Sequence, residues 1–394
     1  MAHERPRVAV IGVGSMGSMA LWQLARRGYN VVGFERMGVP HDGGGHGAES
    51  RIFRVAYREG AEYIPLLQQS RELWAELQGM SQRPFFLPIG CLYMGEAGAP
   101  WLKETIAGAV ANELDHEVLT SMEISQRFPQ HRLSGNEMAL LDKAGGLLRP
   151  ELAVLAAAQA ACRMGAQIHA ESPVSKVRPL RDGVEIVVGG QRLQFDYAVI
   201  TTGAWGARLM DEPPVRIVAR RIVGSWYGVD TPADYTPGRF PVCIREGKEL
   251  QFSGFPCLDG WTIKVMPPVN FESDVDPIET DRRVSRDDTA ITRQVERDLL
   301  KGVHPEPVRT GVFLDGFTVD DHPVIDFCPG ADRIVLALGF SGHGFKMATG
   351  VGAAVAELIE KGGNNYVGAH FAAGRLPRTD EPHAEQPRAR IALR

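Results

Sequence analysis

A mixed α/β fold of two domains, one holding a parallel sheet and the other rich in strands, is predicted by three observations. The run RVAVIGVGSMGSMALWQLARRGYNVVGFER (7–36) reads as strand, glycine turn, helix and strand. A long middle region, 217–267, reads as strands broken by PGRFP and FSGFP. Near the other end, IVLAL (334–338) runs straight into the glycine-rich GFSGHGFKMATGVG (339–352). At 394 residues the chain is long enough for two domains.

Composition narrows the classes. Hydrophobic residues make up 44% and charged residues 23%, the balance of an ordinary soluble globular protein. A net charge of −5 without a long basic run argues against nucleic acid as the main partner. No window approaches the roughly 18 apolar residues of a membrane span, and MAHERPRVAVIGVG lacks the pattern of a signal peptide. The five cysteines (Cys91, Cys162, Cys243, Cys257 and Cys328) are scattered without a CxxC pair, neither a disulfide framework nor a zinc pattern. A reducing cytoplasm is the expected compartment. No repeat of fixed period is present.

Each element has a local reason. VAVI is a continuous apolar run, as a parallel strand covered on both faces requires. The helix starts at Ser15, places Met16, Ala20 and Leu24 on one face, and stops before Gly28. VVGFE completes a right-handed βαβ unit. YIPLLQQSRELWAEL (63–77) is amphipathic, and RPELAVLAAAQAACRMG (149–165) opens with Pro150 and stops at Gly165. A strand (166–170), a hairpin turning at Arg181-Asp182-Gly183 (174–189) and FDYAVITTGAW (195–205) follow. A helix is expected over 280–302 and strands over 308–328. From Leu376 the polar, proline-containing LPRTDEPHAEQPRARIALR reads as a mobile tail (376–394).

Gly12-Val13-Gly14-Ser15-Met16-Gly17 fits G-x-G-x-x-G between a strand and a helix. The first glycine makes the turn, the second admits a pyrophosphate, and the third lets helix and strand pack. The helix start, at Ser15 and Met16, offers N–H donors and a positive dipole end to phosphates. Glu35 ends the second strand 18 residues past Gly17, placed to bind ribose hydroxyls, with Arg36 beside it. These features predict a dinucleotide site. GVGSMG also resembles the opening of NAD(P)-dependent β-hydroxyacid dehydrogenases, although Glu35 disfavours NADP.

Three further stretches resemble one flavoenzyme family. HGAESRIFRVAYREGAEY (46–63) follows the second strand, FDYAVITTGAW (195–205) ends in TGAW, and DDHPVIDFCPGADRIVLALGFSGHGFKMATGVG (320–352) lies near the C-terminus. With the N-terminal unit, in this order, they resemble the monomeric sarcosine oxidase and N-methyltryptophan oxidase family of D-amino-acid-oxidase-like flavoproteins. The resemblance implies a Rossmann-like FAD-binding domain (1–90, 145–219 and 315–375) and an antiparallel substrate domain (91–144 and 220–314). It also implies oxidation of a secondary amine or amino acid at its C–N bond, with hydride passing to flavin N5, hydrolysis of the imine and reduction of O2 to H2O2. The partners implied are a small amine and O2, acting on a monomer without nucleic acid, membrane or metal.

Carried over by position, Gly12, Gly14, Gly17 and Glu35 hold the ADP half of FAD, with the Val174 backbone at the adenine. Thr202, Gly203 and Trp205 belong to the segment that closes over FAD, and Gly339, Gly342, His343, Gly344 and Phe345 to the flavin segment. His46 and Arg51 match positions beside the isoalloxazine. Arg54 and Lys346 match the two cations that hold a substrate carboxylate, a role suited to a planar fork plus a point charge; alone, Arg54 would read as a surface salt bridge. Lys264 matches a lysine that promotes reaction with O2. By strand alternation it points away from Trp261, Ile263 and Val265, which without the resemblance would mean solvent.

The sequence departs from the family at two places. The position of the cysteine that tethers FAD is Phe313, with no cysteine within ten residues, so FAD is expected to bind noncovalently. The substrate pocket carries Ser253, Pro268 and Asp315 where relatives have aromatics or a histidine. This implies a different or larger amine. Asp315 reads either as a group that attracts a cation or as an exposed turn aspartate. Asp320-Asp321-His322 reads as a turn before PVID rather than a metal cluster, and no nucleophile elbow is present. A flavin dehydrogenase using another acceptor, or a tailoring flavoprotein, remains the alternative.

Overall fold

The computed structural model describes residues 5–206, 208–247, 250–268, 274–363 and 368–376. All of the expected mobile tail beyond Leu376 lies outside them. A six-stranded sheet runs in the order Val324–Cys328, Ala331–Leu338, Tyr197–Ile200, Arg7–Ile11, Asn30–Phe34, Gln167–His169. All neighbours are parallel except the first pair. Its central strand is buried on both faces, which is why VAVI carries no alternation. The helices Ser15–Arg26, Ile64–Ser81, Pro150–Arg163 and Ala348–Lys361 build the core on one face. The antiparallel strands Val174–Leu180, Gly183–Val188 and Gln191–Phe195 supply Val177, Ile186 and Phe195 to the core on the other.

The second sheet has nine strands. Its spine is the antiparallel pair Val218–Val229 and Val303–Phe317, and Thr262–Met266, Gln251–Phe255, Val242–Glu246 and Cys91–Glu96 extend it. A core of Phe240, Phe252, Ile263 and Val265 lies on one face. The helix expected over 280–302 is shorter: the α-helix covers Ala290–Leu299, preceded by a 3-10 turn at Asp287–Thr289. Upstream, the Asp281 carboxylate accepts the Arg283 N–H and the Asp288 carboxylate accepts the Ser285 N–H. These local bonds compete with helical pairing.

His131 is buried against Phe240, with ring centroids 5.3 Å apart, and neither ring nitrogen has a hydrogen-bond partner among the described residues. Burial lowers its pKa to about 3. The unfolded chain takes up this proton below about pH 6.5, whereas the folded protein resists until about 3, so stability falls as pH drops through that window. His131→Phe should therefore raise the melting temperature more at pH 5 than at pH 8. An equal change at both would contradict this account.

Candidate active site

A cavity of about 300 Å³ lies over the ends of the parallel strands. The glycine turn forms its floor. Gly12 has φ +88°, which L side chains rarely adopt, and a Cβ on Gly17 would stand 1.8 Å from the Gly12 carbonyl oxygen. Gly17 thus lies beneath the cavity and sets the packing, while Gly12, Gly14, Ser15 and Met16 line it. Glu35 is buried, and its two oxygens accept the N–H groups of Val13 (2.8 Å) and Met37 (2.9 Å). Each oxygen keeps a lone pair for a ligand hydroxyl. Across the cavity stand Val174, Thr202, Gly203 and Trp205, with the Arg36 guanidinium 5.0 Å from the Trp205 ring. The Trp205 indole N–H is buried without a partner among the described residues. His46 lines the same cavity, and burial, followed by His41 and Arg51, lowers its pKa to about 3, so it is neutral.

A second cavity, of about 420 Å³, meets the first at Gly45, Asp315, Gly344 and Phe345. Arg51, Gly342 and His343 stand in its wall. One part is apolar, with Ile222, Ile244, Phe255 and Met266 beside Ser253 and Pro268. Arg54, Glu59 and Lys346 line another part. Gly339 lines neither cavity. It turns the chain at φ +70°, where a Cβ would stand 2.4 Å from the Thr318 side chain.

Arg54 is no surface residue. Its guanidinium donates to the Tyr93 hydroxyl (2.8 Å) and to Glu59 (2.5 Å), and stacks 4.4 Å from the Tyr57 ring. Burial works against its charge, but Glu59 holds its pKa well above the usual value. Burial likewise opposes the Glu59 charge, and Arg54 overcomes this to bring Glu59 to about 2. Lys346 donates to the His343 carbonyl and lies 3.4 Å from the Tyr57 hydroxyl. Its own carbonyl accepts the Trp74 indole N–H at 2.8 Å. Burial and then Arg54 lower its pKa well below that of a free lysine.

Asp142 holds this corner together. One carboxylate oxygen accepts the Val55 and Ala56 N–H groups, and the other accepts those of Ala144 and Gly145. Sequence reasoning missed Asp142, Glu59, Tyr57 and Tyr93. Glu59 lay in the quoted stretch 46–63, five residues from Arg54, whereas the remote Asp142 carried no signal.

The solvent-facing alternative for Lys264 is excluded, because the residue is buried. Its ammonium donates to the carbonyls of Ser50 (2.5 Å) and Ala48 (2.9 Å) and lies 3.8 Å from the Phe255 ring centroid. It lines neither large cavity but a small third one beside Glu49 and Trp226. Phe313 packs with Ala48 and Trp226 and lines the second cavity. Asp315 is no exposed turn residue: it is half-buried in the strand Val303–Phe317. At Asp320–His322 the chain turns as expected, with Asp320 bound to Arg375 (2.9 Å) and the His322 ring to the Tyr63 hydroxyl (2.6 Å).

The glycine turn and the acid suit a dinucleotide cofactor, and a second cavity adjoins the first. Residues 7–358 match the family described as FAD dependent oxidoreductase. The chain belongs to this family. It is 34% identical over 367 residues to monomeric sarcosine oxidase of Streptomyces avermitilis, covering 90% of this chain and 94% of that one. It is 30% identical over 358 residues to N-methyl-L-tryptophan oxidase of Escherichia coli, covering 89% and 94%. NikD, an unusual amino acid oxidase essential for nikkomycin biosynthesis, shares the fold, with a TM-score of 0.82 at 21% identity over 97% of this chain and all of that one. The protein is thus a FAD-dependent oxidoreductase of the sarcosine oxidase type, and its residues fit FAD. Gly12 and Gly17 shape a floor no side chain could share, and the Trp205 N–H beside the cavity has no partner among the described residues.

Because Gly17 meets backbone rather than a movable side chain, Gly17→Ala must displace the turn. The variant should purify with little or no flavin absorbance, and full occupancy would contradict the packing role.

Proposed function

We propose that the protein oxidises the C–N bond of a carboxylate-bearing secondary amine, an N-methyl or cyclic amino acid, with noncovalent FAD and with O2 as final acceptor. The carrying observation is the pair of buried cations, Arg54 and Lys346, in a chamber that opens onto the nucleotide cavity. In this reading Arg54 and Lys346 hold the substrate carboxylate, and the apolar wall from Ile222 to Met266 receives the remainder. Ser253 and Pro268 are smaller members of that wall beside Phe255, consistent with an amine larger than sarcosine. FAD, held by Gly12, Gly14, Ser15, Met16, Glu35, Val174 and the Thr202–Trp205 turn, supplies the two-electron acceptor when bound. His46 and Arg51 flank its ring, and Gly342, His343, Gly344 and Phe345 pass beside it. The protein works as a cytoplasmic monomer.

Lys264 promotes reaction with O2 in this reading. A cation fixed by two carbonyls stabilises negative charge that develops during oxygen reduction. Burial, followed by Arg51, depresses its pKa, while Glu151 and Glu49 act to keep it protonated. A second reading, a dehydrogenase with another acceptor, is favoured by one observation: Lys264 lines neither large cavity.

The test is a panel of N-methyl amino acids, cyclic imino acids and simple amines mixed anaerobically with the protein, with flavin absorbance recorded before and after admitting air. Carboxylate-bearing secondary amines should bleach the flavin. Air should then restore the colour with H2O2 release, slowed at least about tenfold in Lys264→Met with bleaching retained. No bleaching by any such amine would sink the proposal. Wild-type flavin that stays bleached in air would favour the dehydrogenase, and reoxidation unchanged in Lys264→Met would remove the role given to Lys264. The noncovalent attachment has its own check: acid precipitation should release all the yellow colour, because Phe313 offers no thiol.

A further inference from the structure

Oxidation at a C–N bond needs the nitrogen lone pair, yet a secondary amine in neutral water is mostly ammonium, much as lysine is. A substrate of the class proposed above therefore arrives as a zwitterion, and something must meet its cation. Four carboxylates line the second cavity: Glu59, Asp315, Asp320 and Asp321. Glu59 is committed to Arg54, and Asp320 to Arg375. Asp321 is solvent-exposed on the turn.

Asp315 differs from the other three. It lines both cavities at their junction, and it has no ion-pair partner among the described residues. Its oxygens accept only backbone N–H groups, from Gly316 at 2.8 Å and Gly342 at 3.1 Å. A carboxylate with two such bonds keeps further lone pairs for a ligand cation. Strand alternation places Phe313 and Phe317 on the same face, and both also line the chamber. The carboxylate therefore sits between apolar walls, where a charge pair is screened less than in water. Gly45 keeps the approach open, since a Cβ there would stand 3.2 Å from an Asp315 oxygen. Burial raises the Asp315 pKa, while the two backbone bonds, Arg51 and Lys346 act to lower it.

We infer that Asp315 is the ammonium-recognition group of the substrate chamber, the counterpart of Arg54 and Lys346, so that the site selects zwitterions over simple carboxylates. The inference rests on the amine-oxidase reading. It adds that the substrate's cation is read by Asp315 at the mouth of the nucleotide cavity. Proton transfer from the bound ammonium to this carboxylate would leave the neutral amine, with its lone pair, and a neutral carboxylic acid.

The test compares two unreactive ligands of equal shape on the FAD-loaded protein: glycine betaine, which carries a fixed cation, and tert-butylacetate, in which carbon replaces nitrogen. Affinities are read by titration calorimetry and by the change in flavin absorbance. The wild type should bind betaine at least about tenfold more tightly. In Asp315→Asn the preference should vanish, with tert-butylacetate affinity retained as the sign of a folded chamber. Asp315→Ser provides a second variant with the same expectation. Absence of the preference in the wild type, or its survival in both variants, would overturn the inference alone. Failure of both carboxylates to bind the wild type, or affinity for both untouched by Arg54→Met, would overturn the carboxylate clamp and the inference with it.

Discussion

Two helices, one after each glycine-rich loop, pack at a distance that only glycine permits, and the active site depends on that contact. A Cβ on Gly352 would stand 2.6 Å from the Met19 backbone, so Ala348–Lys361 lies almost directly on Ser15–Arg26. One helix follows the turn that floors the nucleotide cavity, and the other follows the segment carrying Gly344, Phe345 and Lys346. Their contact fixes the two cavities relative to each other. Helix Ile64–Ser81 locks the arrangement from outside, with the Trp74 indole on the Lys346 carbonyl (2.8 Å) and the Ser70 carbonyl accepting the Thr349 hydroxyl (3.0 Å). A shift in either glycine loop must move Lys346 as well as the floor of the first cavity.

The nine-stranded sheet is coupled to that frame through side chains of opposite charge. Asp142, at the end of Glu137–Asp142, grips the Val55–Ala56 backbone just beyond Arg54, while Tyr93 from the neighbouring strand receives the Arg54 guanidinium. Lys264 ties Thr262–Met266 to the Ala48–Ser50 segment in the same way. Ala48 and Glu49 both have positive φ, uncommon for side-chain-bearing residues. The bonds from Lys264, together with Glu151 accepting the Glu49 N–H at 2.9 Å, account for how that conformation is held.

Much of this was legible in the sequence because it depended on local patterns. The apolar run before Gly12, the spacing to Glu35 and the alternation around Lys264 each state a backbone fact within a few residues. What stayed hidden was mutual neutralisation. Asp142 meets two of its four N–H partners 86 and 87 residues away, the other two being the nearby Ala144 and Gly145, and no periodicity marks a carboxylate that will collect both pairs. The surface reading of Arg54 and the solvent reading of Lys264 failed for the same reason, since burial of a charge is decided by partners remote in the chain. The expected helix over 280–302 was shortened by aspartates that bond their own backbone, a competition that charge content hides.

The charges of the chamber can be counted against its proposed ligand. Arg54 and Lys346 bring two positive charges and Glu59 removes one, leaving a net positive end suited to a single carboxylate. Lys346 depends on that anion, because burial beside Arg54 depresses its pKa and a carboxylate beside it would favour the protonated form. At the junction Asp315 makes no direct ion pair among the described residues, and Arg51 and Lys346 act on it only at longer range. A zwitterion lying between them would neutralise both ends at once. A simple amine would leave the cations unmatched, and a simple carboxylate would leave Asp315 unmatched. Burial penalises each of these, and that penalty, more than the shape of the apolar wall, is what would make the chamber selective.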